Sequence, residues 1–333
     1  MIEKETFFRF RRTDMNAKRI LKKTGKIALI LIASLLALVI LVWGVLNIAK
    51  FAIYSDYYSM KTDVCDNPGL SDGFVCQGIC ALEDEGRIFV SGYMADKSAS
   101  RIYITDHESN SYYVSLTDES GNDFTGHAGG ISVWGDRVYI ANGGKLYFAS
   151  AKSILTADNG DKIAITVGAE VNNSASFVFA DENYVYVGEF HDGGAYVTDH
   201  PYETKNGTQY AIFSKYLHSD LTKPVKVYSI PDKVQGMCVT EGGNIVFATS
   251  YGLTDSEYYV FDESKARDSG LTLDGAPVYL LEEYTKQFSG PAMAEGLDFT
   301  NGKVITLTES ASDKYIFGKF FFANQIVALD IGE

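Results

Sequence analysis

The sequence predicts an all-β ring of repeated blades, a five-bladed β-propeller with six blades as the alternative, preceded by one transmembrane helix. Three observations predict it. Residues 27–48, "IALILIASLLALVILVWGVLNI", hold no charge and no proline. Behind them one pattern recurs five times: a short apolar alternation, a turn with Gly, Asp or Asn, and a second β-rich run. Beyond the apolar run no 3.6-residue periodicity is sustained, and Gly, Thr, Tyr and Val abound.

The apolar run comes first in the chain. About 20 apolar residues span a bilayer core as a helix, so this one is long enough. Nine Lys/Arg against three Asp/Glu precede it within residues 1–26, and only Lys50 and Lys61 follow it closely. The excess of basic residues on that side places the N-terminus in the cytoplasm. Trp43, Tyr54, Tyr57 and Tyr58 suit the outer headgroup level. A cleaved secretory signal would have an apolar region of about 7–15 residues and a small-residue cleavage site. Here the run is longer, and "NIAKFAIYSDYYS" offers no such site. The reading is therefore a cytoplasmic basic tail (1–26), a signal anchor (27–49) and an extracellular propeller (50–333), single-pass in the plasma membrane.

Charge narrows the partners. The 333 residues have a formal net charge of −14, but the leader is basic, leaving 20 of 29 Lys/Arg against 40 of 43 Asp/Glu outside it. So acidic an ectodomain excludes nucleic acid, which demands a basic footprint. The expected partners are the membrane, through residues 27–49, and a small-molecule, glycan or protein ligand.

The five copies are "VCQGICALEDEGRIFVSGYM", "GHAGGISVWGDRVYIANGGKLYFAS", "NSASFVFADENYVYVGEFHD", "KVQGMCVTEGGNIVFATSYG" and "AMAEGLDFTNGKVITLTESA". They align on Gly78, Gly130, Ser176, Gly236 and Gly296. A further strand follows each: "RIYITD", "KLYFAS", "GAYVTD", "YYVFD" and "QIVALDI". Alternation over short runs between turn residues marks antiparallel strands, and repeats of this length mark blades around an axis. The last copy has room for only three strands, so "YYSMKTDV" (57–64) is expected to close the ring. The interval 196–234 holds "YAIFSKY" and "PVKVYSIP", which are either the outer strands of one blade with a long insert or a sixth, degenerate blade.

All four cysteines fall on the exported side, where disulfides persist. Cys80 and Cys238 occupy equivalent inner-strand positions in nonadjacent blades, too far apart to bond. Cys65 and Cys76 are expected to form a disulfide between the closing strand and the first blade.

In an antiparallel blade the start of the first strand and the end of the second share an edge. The residues before the anchors include Gln77, Gln235 and Glu295, with Gly129 and Ala175 in the other copies; the second-strand ends carry Tyr93, Asn142, Glu189 with His191, Tyr251, and Glu309. These side chains, with His127 at the rim, are expected to converge on one channel mouth able to bind a cation or polar ligand. Crowded carboxylates acquire raised pKa values, which suits acid–base work. The plainer reading is a water-filled polar channel whose Gln and Glu satisfy neighbouring backbone groups. Gln77 and Gln235 fit that reading best, and Glu295 and Glu309 fit either.

Other chemical signatures are missing. "GISVW" begins like a nucleophile elbow but sits in a predicted inner strand, so Ser132 is read as ordinary. There is no H-E-x-x-H, Walker loop or dinucleotide fingerprint. "DESGND" and "DNGD" read as solvated turns.

On the five copies, residues 57–333 resemble the wider β-propeller class, which includes lactonase-like, strictosidine-synthase-like and NHL-type members and five-bladed nucleotidases. The resemblance to lactonase-like members implies a divalent cation such as calcium at the mouth, held by carboxylates and asparagines of several blades. Glu295 is the one inner position here that carries a carboxylate; Gln77, Gly129, Ala175 and Gln235 depart from that pattern. Whether the protein is an enzyme stays open. The expected function is a membrane-anchored extracellular propeller that binds a ligand at one mouth, with a hydrolase or lyase using a weak cation site there as the alternative.

Overall fold

The structure, a computed structural model, describes residues 2–318 and 323–332. It comprises two compact units, residues 1–49 and 50–333.

The first unit lies within one helix, Ile2–Ile53. Its segment Leu21–Ile53 is long and apolar enough to cross a membrane, and its large apolar side chains are exposed. A helix apolar on all sides has no polar face to give to water. The segment is a signal anchor or a secretion signal by these properties.

The second unit is a five-bladed propeller. Its inner strands are Phe74–Leu82, Gly130–Trp134, Phe177–Ala180, Val234–Val239 and Ala294–Thr300. Each neighbours the next, and the last packs against the first, closing the ring. Lys61–Asp66 forms the outermost strand of the fifth blade, antiparallel to Gln325–Leu329. Closure by an N-terminal strand is therefore as expected, but Tyr57–Met60 are helical, within Ser55–Met60, and the donated strand starts at Lys61. Tyr57 explains the shift: its ring is buried beside Tyr258, which fixes this turn onto the fourth blade's core.

No sixth blade exists among the described residues. Ala211–Leu217 and Lys226–Ile230 are the third and fourth strands of blade three, and residues 189–210 form the insert. "GAYVTD" is accordingly a loop and not that blade's third strand. Two blades also gain strands from their successors. Lys162–Ala164 adds in parallel to blade one, and the hairpin Arg267–Leu273/Ala276–Leu280 adds to blade three. Such additions cover edges that would otherwise offer unpaired backbone groups.

The core lies between blades as well as within them. Cys80, Phe89 and Ile104 of blade one pack with Ile131 and Ile140 of blade two. At the axis, inner strands approach so closely that a side chain would not fit. A methyl on Gly236 would stand 2.7 Å from Gly296 Cα, and one on Gly296 would stand 2.8 Å from Ile79 N. Side chains also tie blades together. Ser132 Oγ accepts from Ala180 N at 2.9 Å, and Asp298 Oδ2 accepts from Ala81 N at 2.7 Å. Ser132 thus has the ordinary structural role its setting suggested.

None of the four cysteines forms a disulfide and all are buried, so the expected Cys65–Cys76 disulfide is absent. Cys65 sits in the outermost strand of blade five and Cys76 in the innermost of blade one. Cys76 Sγ instead lies 3.4 Å from Thr308 O and 3.2 Å from Asn67 Nδ2. Cys80 and Cys238 are buried in separate cores, as small apolar side chains.

Candidate functional site

The Gln/Glu-Gly pairs are β-bulges. Cys76 and Gly78 pair with consecutive residues Gly92 and Ser91, leaving Gln77 unpaired in the ladder. Gln235 is skipped in the same way between Val234 and Gly236, and blade five shifts register between Ala294 and Leu297. A bulge adds one residue and re-aims its side chain, often beside functional sites. Glycine follows the bulge because the next inner strand lies against it.

Glu295 and Glu309 meet at this edge. Ala294 pairs with Thr308, and Glu309 N donates to Met293 O at 3.0 Å. Both carboxyls are buried. Gln77 Nε2 donates to Glu309 Oε2 at 3.2 Å, and the Tyr315 hydroxyl is hydrogen-bonded to the same carboxyl. Burial and the neighbouring Glu309 push the Glu295 pKa well above the usual carboxylate range, opposed by the Lys314 ammonium. Burial also pushes Glu309 up to about 7, opposed by Tyr315, Lys314 and Gln77.

Aromatic rings and an ammonium cover the pair. Lys314 Nζ is 4.6 Å from the Tyr93 ring and 4.9 Å from the Tyr315 ring, and it donates to Tyr93 Oη. Tyr93 meets His127 edge-to-face at 4.8 Å. Desolvation and the Lys314 charge hold the His127 pKa below its usual value. Five expected residues, Gln77, Tyr93, His127, Glu295 and Glu309, thus join one cluster.

The other expected residues have partners of their own. Glu189 is buried and accepts from Ile212 N at 3.1 Å, with His200 Nδ1 at 2.7 Å. This carboxylate raises the His200 pKa. His191 Nδ1 accepts from Thr198 N at 3.1 Å, and its ring stacks on Tyr210. Gln235 Nε2 donates to Ser250 O at 3.3 Å, which fits the plainer, backbone-satisfying role. Tyr251 is exposed and hydrogen-bonded to Asp192. Asn142 lies against Gly126, in the loop that carries His127.

Lys314 and Tyr315 escape a reading by repeats because they belong to the connection after Glu309. Its length was the available signal. Thr308 and Gln325 bound neighbouring strands, yet hairpin loops usually have about 2–5 residues. The excess folds back: Asp313 N donates to Leu70 O at 2.9 Å, and Ser312 Oγ to Phe74 O at 2.7 Å. His200 lies likewise in the long insert of blade three.

Metal chemistry is restricted by the donor set. Among the described residues no group of three or more His, Cys, Asp or Glu is placed to hold a metal. Around Glu295, two carboxylates share the space with an ammonium.

No family model matches the chain, and no curated protein matches it. Solved structures of similar architecture include the PQQ-bound aldose sugar dehydrogenase of Streptomyces coelicolor, at 14% identity and TM-score 0.42, covering 74% of this chain and 76% of that one. Another is the glutaminyl cyclase of Myxococcus xanthus, at 12% identity and TM-score 0.43, covering 81% and 96%. A third is a gluconolactonase of Xanthomonas campestris, at 12% identity and TM-score 0.40, covering 78% and 88%. These are likenesses of fold alone, to a β-propeller of no specific family.

Proposed function

We propose that this chain is a membrane-anchored extracellular propeller that binds a small, singly charged cationic ligand at the mouth formed by Gln77, Tyr93, Glu295, Glu309, Lys314 and Tyr315. Residues 27–49 cross the plasma membrane once, with residues 1–26 in the cytoplasm. One observation carries the binding reading: Glu295 is buried beside a second buried carboxyl, Glu309, with the Lys314 ammonium acting on both. Burial favours the neutral form of Glu295, and a cation seated beside it would favour the charged form. With both carboxylates ionised, Lys314 neutralises one charge, and a singly charged ligand balances the other. A divalent ion such as calcium would leave an excess positive charge in a site poor in oxygen ligands.

A thermal-shift series on the full chain in detergent tests this, with methylammonium, butylammonium, calcium chloride and glucose as probes. A ligand that binds only the folded state must raise its melting temperature. An alkylammonium should do so in the wild type and not in Glu295→Gln. Equal shifts in both proteins, or none in either, would oppose the proposal.

One observation favours a second reading, a hydrolase or lyase. Glu309 is buried, which pushes its pKa up to about 7, and it is hydrogen-bonded to Tyr315. A carboxyl poised near neutral pH can give and take a proton, as general acid–base catalysis requires.

A further inference from the structure

The opposite end of blade two carries a cleft that the mouth does not involve. The turn Gly135–Asp136 joins the inner strand ending at Trp134 to the second strand starting at Arg137. Beside this turn lies an open cleft of about 560 Å³, lined in part by Trp134, Asp136, Arg137, Phe148, Ser150 and Thr166. That volume falls within the roughly 300–1,000 Å³ of small-molecule sites.

Trp134 is held as a platform. One face of its indole stacks on His218, with centroids 4.0 Å apart and planes at 19°. His218 cannot swing away: Nε2 donates to Asp181 O at 2.8 Å, so Nδ1 accepts from the Tyr139 hydroxyl at 2.9 Å. Tyr139 is in turn hydrogen-bonded to Arg137. Four residues thereby fix the ring, yet 43% of Trp134 remains exposed. Trp134 lines the cleft, whereas His218, on which it stacks, does not.

Arg137 supplies the charge. Its guanidinium stacks 4.9 Å from the Phe148 ring centroid, and no carboxylate pairs with it among the described residues. Around it are hydroxyls of Ser150 and Thr166 and the carboxylate of Asp136, which accepts from Lys152 N at 2.7 Å and Ser150 Oγ at 2.8 Å.

We propose that the Trp134–Arg137 cleft binds an acidic sugar ring of the uronate class. The amphipathic indole takes the apolar face of a pyranose ring, and the planar guanidinium takes its carboxylate through two parallel hydrogen bonds. The hydroxyls and Asp136 receive the ring's own hydroxyls. Arg137 matches the sugar's one negative charge.

The chain contains two tryptophans, Trp43 and Trp134, so Trp43→Phe leaves Trp134 as the sole indole reporter. The test uses that full-length variant in detergent, titrated with sodium glucuronate and with glucose at matched ionic strength. Trp134 emission should change saturably, with glucuronate binding at least about tenfold tighter than glucose. Arg137→Ala and Arg137→Gln should bring glucuronate down to the level of glucose while the protein still folds. Absence of a saturable change, equal affinity for the two sugars, or glucuronate binding unaltered in both Arg137 variants would overturn the proposal.

Discussion

The Gln77 amide donates to the Glu309 carboxyl at 3.2 Å, so the inner strand of the first blade touches the end of the second strand of the last blade. The contact crosses the seam where the ring closes. It also brings a bulged residue, chosen by local geometry, onto a carboxyl that burial has made a weak acid.

Stability should fall as pH rises from about 5 to 8. Burial pushes Glu309 and Asp298 up to about 7 and Glu295 well above the usual carboxylate range, whereas unfolded carboxyls titrate at about 4. The folded state therefore binds more protons in this window, and the pH derivative of unfolding free energy is negative. His200, raised by Glu189, acts in the same sense: its contribution is present at low pH and lost as the imidazole deprotonates. Melting temperatures measured across the window should decline, with a shallower slope in Glu309→Gln. A rising or flat profile in the wild type would contradict the assignment.

Gly296→Ala should destabilise the propeller by about 1–3 kcal/mol or more, the usual cost of overpacking a rigid site. The added methyl would meet Ile79 N at 2.8 Å and Gln77 O and Gly78 Cα at 2.9 Å, all of them backbone. Denaturant unfolding measures this. An unchanged midpoint would mean that the axis is looser than described.

All four thiols should resist alkylation in the native state and react together in denaturant. Burial pushes the Cys76 and Cys80 thiols well above their usual pKa and Cys65 up to about 11, so little thiolate forms at neutral pH. Mass spectrometry counts the adducts. A Cys65–Cys76 cross-link in a nonreduced digest would contradict the absence of a disulfide between the closing strand and the first blade.

Protease added to intact cells should remove residues after about 55 and spare the basic tail. Protection of the propeller until the membrane is opened would reverse the proposed orientation.

The repeats made much of this legible. Gly78, Gly130, Gly236 and Gly296 announce inner strands because only glycine fits against the neighbouring backbone. Glu295 and Glu309 could be paired by strand direction alone, since antiparallel geometry puts those ends on one edge. Non-repeating segments were harder. Tyr57 has an aromatic, strand-like neighbourhood, yet its burial against Tyr258 holds it in a helical turn. Cys65 and Cys76 are near in sequence, but the ring places them in the outermost strand of one blade and the innermost of another. Lys314 lies in a loop whose path depends on contacts with Leu70 and Phe74, and these follow from the closed ring and not from local pattern.

Calorimetric titration of butylammonium chloride into the full-length protein at pH 6.5 tests the central claim most directly, when done in buffers of different ionisation enthalpy. A cation beside Glu295 and Glu309 favours their charged forms, so binding should be saturable and should release protons to the buffer. Glu295→Gln should abolish the heat of binding while still folding. Saturable binding that survives intact in Glu295→Gln, or no binding to the folded wild type, would contradict a cation site at this mouth.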